Sequence, residues 1–404
     1  MAEKQPNTGL QDLHHVGSTK GSSEEVGEYV LPQVPVDIAV EVKTVKKGDV
    51  PDRLRRRIVD WIFYDLSSRG MYPKRIYNAA ARSLVALYPQ LKDSSDNGYF
   101  SWLLSLKNKF KNVRKRMPPG CPEVDAQKDK VRMRKLGDGC DQQRVPFRRE
   151  IAVSTSLEMD PVFVTETINF MKKELSNSKP SMEKLKDAMD RTCQARRKCL
   201  EVDAMNIQDF LVLYPALMVE KEILNECSRL TSISPDVSLL QALRKHADGI
   251  LQAVQYKQPA LPTYTTVTTA INVAQGNSKS YARGVGALIL LPFLLNERGD
   301  DIFAPLVDGR TRPYPTLIFT GDSVMSSEGL SVTFENVQID VLDVTAGMAL
   351  LFSMYWAYNI EYVQSAKQTF ALLEHLMGIK WTKLSTRAIK VLTKLNACAA
   401  EKQQ

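Results

Sequence analysis

A chain of 404 residues with 44% hydrophobic and 25% charged side chains holds enough apolar material for two or three ordinary domains, which excludes a wholly disordered protein. Its six cysteines form no CxxC pair and stand apart from the four histidines, so neither a disulfide framework nor a structural zinc is predicted. The net charge of +8 is uneven, with +13 in residues 51–149, −3 before them and −2 after them. A polycation joined to a nearly neutral body favours a polyanionic partner, most commonly nucleic acid.

Residues 1–48 are polar, and we expect them to form a disordered arm. No apolar stretch in this region is long enough for a signal peptide, and no run of about 18 apolar residues follows later. The nearest approach to a membrane span, Val344–Ile360, is short and interrupted by polar side chains, so we predict a buried core helix there. We therefore expect an intracellular protein without membrane contact, in the nucleus in preference to the cytoplasm.

Residues 50–117, which we call the basic module, have the pattern of three helices. Apolar residues recur every three or four positions after Pro51, and a second such stripe runs from Lys74 to Tyr88. The turn DSSDNG, residues 93–98, then opens a third helix. The apolar face of this third helix consists of Tyr99, Trp102, Leu103, Leu106, Phe110 and Val113.

The third helix is also the most basic segment of the chain. A helix with one face in a core and a cationic face outside can lie along a phosphate backbone or enter a major groove. The alternative is a solvated basic face that serves solubility or pairs with an acidic protein. The predicted phosphate contacts are Lys107, Lys109, Lys111, Arg114, Lys115 and Arg116 of this helix, with Arg55 and Arg56 of the first helix.

The remainder is predicted to be a linker over 118–157, a helical plus α+β domain over 158–378 and an exposed tail over 379–404. The linker holds a basic cluster, Lys128–Lys135, that fits a nuclear import signal. Helices are predicted at Pro161–Leu175, Met182–Leu200, Ile207–Leu230 and Leu239–Tyr256, and the pair Tyr214–Pro215 is expected to kink or divide the third of them. Strands are predicted at Thr266–Val273, Ala287–Leu295, Thr316–Thr320 and Leu330–Val341, followed by a long apolar helix, Asp343–Leu376. The fold class is therefore α+β, with mixed strands capped by that helix.

The sequence contains none of the common catalytic motifs. It has no GxxxxGK[ST] phosphate loop, no HExxH and no GxSxG. The acidic pairs Asp300/Asp301 and Asp340/Asp343 lack the third carboxylate that a nuclease-like metal site needs. We therefore expect a non-enzymatic protein without cofactor or metal, and an enzyme derived from a mobile element would require a carboxylate cluster formed by the fold.

Several blocks of the chain resemble a known family. These are YPQLKD (88–93), GYFSW (98–102) and LKNKFKN (106–112), together with DFLVLYPALMVEKEILNEC (209–227) and MALLFSMYWAYNIEYVQSAKQTFALLEHLM (348–377). They resemble a family, expanded in fishes, that is named for its similarity to sterile alpha motif domain-containing protein 3. The resemblance implies a possible mobile-element origin and supplies no active site. We identify no sterile alpha motif domain in the N-terminal arm, so polymerisation through such a domain is not implied.

Two functions remain open from the sequence. The first is a nucleic-acid-binding protein that contacts the phosphate backbone, most readily of duplex DNA, with the C-terminal domain mediating association. The second is a scaffold protein whose basic module pairs with an acidic partner. In the second case the apolar helix Met348–Ile360 could take part in a homo-oligomer interface through the C-terminal half.

Overall fold

The structure, a computed structural model, describes residues 29–137, 159–306 and 312–402. These residues are mostly helical, with one four-stranded mixed sheet near the C-terminal end, which confirms the predicted α+β class. Their buried apolar side chains form two clusters, one within residues 29–124 and the other within residues 168–395. The first cluster contains the basic module, and we call residues 159–402, which contain the second, the main domain.

The basic module contains α2 (Asp52–Ser68), α3 (Ile76–Leu87) and α4 (Phe100–Arg116), at the positions of the three predicted helices. The helix α4 packs against both α2 and α3. Its buried Phe110 makes edge-on contacts, with ring centroids 4.7 Å from Phe63 on α2 and 5.1 Å from Tyr77 on α3. These contacts fix the rotation of α4 about its axis and hence the direction of its basic face.

Two further helices cover the module where the sequence predicted an arm and a linker. The helix α1 (Val36–Thr44) buries Ile38 and Val42, and the Tyr29 hydroxyl donates to Asp65 at 2.6 Å, so the prediction of disorder is wrong for residues 29–48. The helix α5 (Pro122–Gly137) replaces part of the predicted linker. Residues 1–28 and 138–158, which include the rest of the predicted arm and linker, lie outside the described residues.

The main domain begins with helices α6 to α11. They are α6 (Pro161–Leu175), α7 (Met182–Arg191), α8 (Cys193–Glu201), α9 (Ile207–Leu213), α10 (Glu220–Thr231) and α11 (Pro235–Lys257). The predicted helix Pro161–Leu175 is α6 with the same bounds, and the predicted helix Ile207–Leu230 is divided at Tyr214 and Pro215. The prediction of one helix over Met182–Leu200 is wrong, because a turn at Thr192 separates α7 from α8.

Two predicted strands are helices. The segment Thr266–Val273 belongs to α12 (Pro262–Val273), and Ala287–Leu295 belongs to α13 (Gly276–Leu295). In α12 the threonine hydroxyls donate back to carbonyls one turn earlier, for example from Thr268 to Tyr264 at 2.9 Å. In α13 almost every side chain of the apolar run is buried, so no periodicity distinguished helix from strand. The two helices cross closely at Gly286, where a Cβ would lie 2.5 Å from Val267 Cγ1.

The sheet packs on the most apolar helix. Its strands are β1 (Phe303–Pro305), β2 (Thr316–Phe319), β3 (Leu330–Phe334) and β4 (Val337–Asp340), in that spatial order. The strand β1 runs parallel to β2, and the other two pairs are antiparallel. Beneath β2 and β3 lies α14 (Val344–Ala357), in which every residue except Ala346 is buried, as predicted for a core helix. Among the described helices none combines the length and apolar character needed to cross a bilayer.

The predicted helix Asp343–Leu376 is wrong as a single element. Asn359 adopts a left-handed backbone with φ of 56°, which ends α14, and a new helix, α15 (Lys367–Leu376), follows. Glu297 caps this second helix from outside, since its carboxylate accepts the backbone N–H groups of Gln368 at 2.8 Å and Thr369 at 2.7 Å.

The prediction of an exposed tail over 379–404 is also wrong for residues 379–402, and residues 403–404 lie outside the described residues. The segment 379–402 contains α16 (Thr386–Glu401), which Ser385 caps and which buries Ile389, Leu392 and Leu395. The helix lies between α11 and α4 and so connects the main domain to the basic module. On the α11 side it covers His246, whose ring hydrogen-bonds the Leu395 backbone and whose Nδ1 has no partner among the described residues.

Candidate nucleic-acid interface

The start of α4 is fixed by side chains of the preceding turn. The Asp93 carboxylate accepts the backbone N–H groups of Ser95 at 2.9 Å and Ser101 at 2.7 Å. The indole of Trp102 is fully buried and donates to the Leu91 carbonyl at 2.8 Å. The first turns of α4 are therefore held in place, and the basic residues lie on its later turns.

Four of the eight predicted phosphate ligands stand exposed on this basic segment. Lys107, Lys111, Lys115 and Arg116 are exposed and have no ion-pair partner within residues 29–137, 159–306 and 312–402. Lys107, Lys111 and Lys115, which we call the lysine row, follow a four-residue spacing that places them on one side of the helix. Successive members are about 6 Å apart along the axis. Three cations are thus presented together without a neutralising carboxylate among the described residues.

Two other predicted ligands on α4 already have partners. Lys109 Nζ lies 2.6 Å from the Asp60 carboxylate and 5.3 Å from the centre of the Phe63 ring. The guanidinium of Arg114 stacks over Tyr72 at 4.3 Å and donates to the Met71 carbonyl at 2.7 Å. These side chains tie α4 to α2 and to the loop before α3. Neither side chain is therefore a free cation in the described structure, and a phosphate would have to compete with these contacts.

Arg55 is a clearer correction. It is 7% exposed, and its guanidinium lies 3.8 Å from the centre of the Trp102 ring and donates to the Ser101 hydroxyl at 3.2 Å. Burial, which Asp93 and Asp52 only partly offset, lowers the pKa of Arg55 to about 10. A phosphate cannot reach this group without opening the module. Arg56, one residue later, is exposed on α2.

The part of the module around Asp49, Asp52 and the start of α4 faces α16 and carries acidic side chains. Lys390 pairs with Asp52 at 2.8 Å, and Lys394 pairs with Asp49 at 3.3 Å. Polar contacts join the same surfaces, since Ser94 N–H donates to the Thr393 hydroxyl at 2.9 Å. Phe100 and Leu104 of α4 pack against the apolar cluster of the main domain. The module is thus docked on the main domain with the C-terminal half of α4 left outside the contact.

The sequence did not reveal this contact. The segment after residue 150 has a net charge close to zero, so no basic surface was predicted in it. Within that segment, however, α16 places Arg387, Lys390 and Lys394 on one face. A signal was present, because Ser385 precedes apolar residues at the spacing of an amphipathic helix.

The described residues contain no cluster of three His, Cys, Asp or Glu side chains that could hold a metal ion. Two of the four acidic residues considered from the sequence have structural partners. Asp343 caps α14 by accepting the Ala346 N–H at 2.9 Å, and Asp301 hydrogen-bonds the Ser365 hydroxyl.

The predicted homo-oligomer contact through Met348–Ile360 is wrong for that helix, because its side chains are buried inside the main domain. An open groove of about 710 Å³ between α6 and α7 exposes Phe163 and Phe170 among charged side chains. It is a surface feature of the main domain, in which α7 packs on α6, α8 and α10.

Comparison with known proteins supports the resemblance noted from the sequence. The chain is 25% identical to human sterile alpha motif domain-containing protein 3 over 373 residues, which cover 86% of this chain and 67% of that protein. It is 22% identical to the mouse protein of the same name over 390 residues, covering 91% and 72%. The predicted similarity is thus confirmed over most of the chain. No protein-family model and no solved structure matches.

Proposed function

We propose that this protein binds nucleic acid, duplex DNA in the first place, through phosphate contacts made by the C-terminal half of α4. The observation that carries the proposal is the lysine row, Lys107, Lys111 and Lys115, exposed and unpaired within the described residues on a helix whose other face is locked in the core. Arg116 extends it, and Arg56 is a further exposed cation on α2. The helix fixes the spacing of these residues along its axis, and lysines that neutralise phosphates release condensed counterions from the nucleic-acid backbone.

The class of contact follows from the side chains. Lysine ammonium groups are point charges that recognise phosphate without reading bases, so binding is expected to depend weakly on sequence and steeply on salt. Four phosphate contacts correspond to a fall of about 3.6 decades in affinity per decade of salt on duplex DNA. A nuclear location belongs to the same proposal.

The test is duplex affinity measured by fluorescence anisotropy across a salt series, with the full chain. The variant K107Q/K111Q/K115Q is expected to bind more weakly and to reduce the salt slope by about 2.7. The matched control is K172Q/K186Q/K221Q, which removes the same charge from exposed lysines on α6, α7 and α10. Arg114 is left intact because its substitution would disturb the Met71 loop.

Equal salt slopes for the two triple variants would refute the proposal, since they would show that only the net charge matters. A wild-type chain without salt-dependent affinity for duplex DNA would also refute it. That second result would favour the alternative in which the basic module pairs with an acidic protein.

A further inference from the structure

A second group of cations lies where α11 and α16 meet the basic module. Arg387, Lys390 and Lys394 are three and four residues apart on α16, so they share one face over about 10 Å. Lys257 ends α11 beside them, and Tyr256 precedes it. We call these five residues the junction patch.

The geometry of the junction patch combines charge with an open aromatic ring. Tyr256 is 85% exposed, and Lys394 Nζ lies 5.2 Å from the centre of its ring. The Lys257 ammonium is held in place by a 2.9 Å hydrogen bond to the Leu294 carbonyl. Arg387 is exposed and has no ion-pair partner in the described parts of the chain. An exposed tyrosine of this kind adds nothing to folding by burial.

The cations of the patch crowd one another. Burial lowers the pKa of Lys257, and the nearby charges of Arg387, Lys390 and Lys394 lower it further against the opposing effect of Asp52. The pKa of Lys390 is lowered by burial and by Arg55 and Arg387, although Asp52 is hydrogen-bonded to it. Asp49 and Asp52 pair with two of the four cations, which leaves an excess of positive charge that a phosphate would relieve.

We propose that the junction patch binds an unpaired nucleotide of a single nucleic-acid strand, with the base stacked on Tyr256 and the flanking phosphates held by Arg387, Lys390, Lys394 and Lys257. A cationic track beside an aromatic ring is the arrangement that recognises single strands without reading sequence, because every base has a π-face. The proposal rests on the proposed nucleic-acid binding for the class of ligand and assigns a second site with a different strand preference.

The test compares a fluorescently labelled oligothymidine strand with a duplex, using the full chain. The Tyr256→Ala variant is expected to bind oligothymidine about tenfold more weakly, which corresponds to one lost base stack, and to bind the duplex as the wild type does. The conservative variant Tyr256→Phe keeps the ring and is expected to retain the affinity. The matched control is Tyr64→Ala, which removes another exposed tyrosine, on α2, and is expected to change neither affinity.

A second variant examines the phosphate contact. Arg387→Gln is expected to reduce the salt slope on oligothymidine by about 0.7, the contribution of one phosphate on a single strand. The proposal is overturned if Tyr256→Ala binds oligothymidine like the wild type, or if the wild type does not bind this strand.

These outcomes are separate from those of the α4 experiment. Loss of duplex binding in K107Q/K111Q/K115Q with normal oligothymidine binding by Tyr256→Ala supports the lysine row and rejects the junction patch. The reverse pattern, with normal duplex binding by the triple variant and weak oligothymidine binding by Tyr256→Ala, rejects the lysine row and supports the junction patch.

Discussion

Replacing Glu226 by glutamine is expected to destabilise the main domain more than replacing Arg196 by methionine. The two side chains form a buried ion pair between α8 and α10, at 0% and 1% exposure, with hydrogen bonds of 3.0 Å from Arg196 Nε and 2.5 Å from Nη2. Burial alone would raise the pKa of Glu226, but the guanidinium groups of Arg196 and Arg229 outweigh it and hold the pKa below its ordinary value. The pair is therefore charged at neutral pH.

The two substitutions are expected to differ in cost because Glu226 has two oppositely charged partners and Arg196 has one among the described residues. Glu226 also accepts from Arg229 at 2.9 Å, so it keeps one guanidinium when Arg196 is removed. Arg196 has Thr192 at 2.7 Å and no other carboxylate among the described residues, so Glu226→Gln leaves its buried charge uncompensated. Breaking a buried pair in this way costs about 3–5 kcal/mol. Loss of charged hydrogen bonds whose acceptor keeps a partner costs about 1.5–3 kcal/mol.

The assay is chemical denaturation of the full chain followed by far-UV circular dichroism. The control is Asp187→Asn, which breaks an exposed pair with Arg191 on α7 and is expected to cost less than about 0.5 kcal/mol. If Arg196→Met proved as costly as Glu226→Gln, or if Glu226→Gln cost no more than the control, the reasoning from partner number would be wrong.

Three further predictions concern stability. Burial, and secondarily the Lys245 charge, lowers the pKa of His246 to about 4. The neutral imidazole therefore contributes its full stabilisation at pH values above the pKa of the unfolded chain, which is near 6.5. The stability should fall by about 3 kcal/mol as pH drops from 6.5 to 4, which pH-dependent denaturation against His246→Gln would show by a missing slope in the variant. Gly286→Ala is expected to cost about 1–3 kcal/mol by steric overlap, whereas Gly284→Ala on the same helix, with ordinary contacts of 3.6 Å, should cost nothing; equal thermal midpoints would contradict this. Arg55→Met should change the free energy of unfolding by less than about 1 kcal/mol and leave duplex affinity unchanged, because the buried guanidinium bonds to no carboxylate among the described residues. A loss of duplex affinity by anisotropy would contradict this expectation.

The elements that could be predicted are those whose residue pattern is compatible with only one type of secondary structure. The helix α6 begins at Pro161 after the capping residue Asp160 and has a clear period, and both of its ends were predicted. The segment Leu330–Val341 was predicted as one strand, and its strand-forming residues were recognised correctly. The turn at Glu335, whose φ is 49°, was missed, and it folds the segment into the antiparallel hairpin of β3 and β4.

The elements that were missed depend on tertiary contacts. The threonine-rich α12 has strand-like composition, but Val267 and Ile271 at helical spacing pack against Gly286 of α13, and this packing decides its conformation. The helix α16 was predicted to be an exposed tail because its many lysines and its arginine lower the average hydropathy of the segment. Its apolar stripe is buried only through contacts with α11 and the docked module, which the local sequence does not show.

At the candidate site, too, some features could be predicted from the sequence and others depend on tertiary contacts. The sequence located the basic helix and its apolar face, because both follow from a single period of 3.6 residues. It could not separate Lys111, which is exposed, from Arg114, which stacks on Tyr72, because that distinction is set by a loop more than 40 residues away in the chain. The burial of Arg55 against Trp102 could not be predicted either, since a segment with four arginines in five residues, 53–57, is expected to be exposed to solvent.

The docking of the basic module on α16 has a consequence for folding during synthesis. The contact between Ser94 and Thr393 joins residues 299 positions apart, so the module leaves the ribosome long before the helix that covers it. At typical translation speeds this interval is about 15 to 60 s. During that time Phe100 and Leu104 lack the surface against which they finally pack, and a nascent chain stalled before α16 would present them to chaperones.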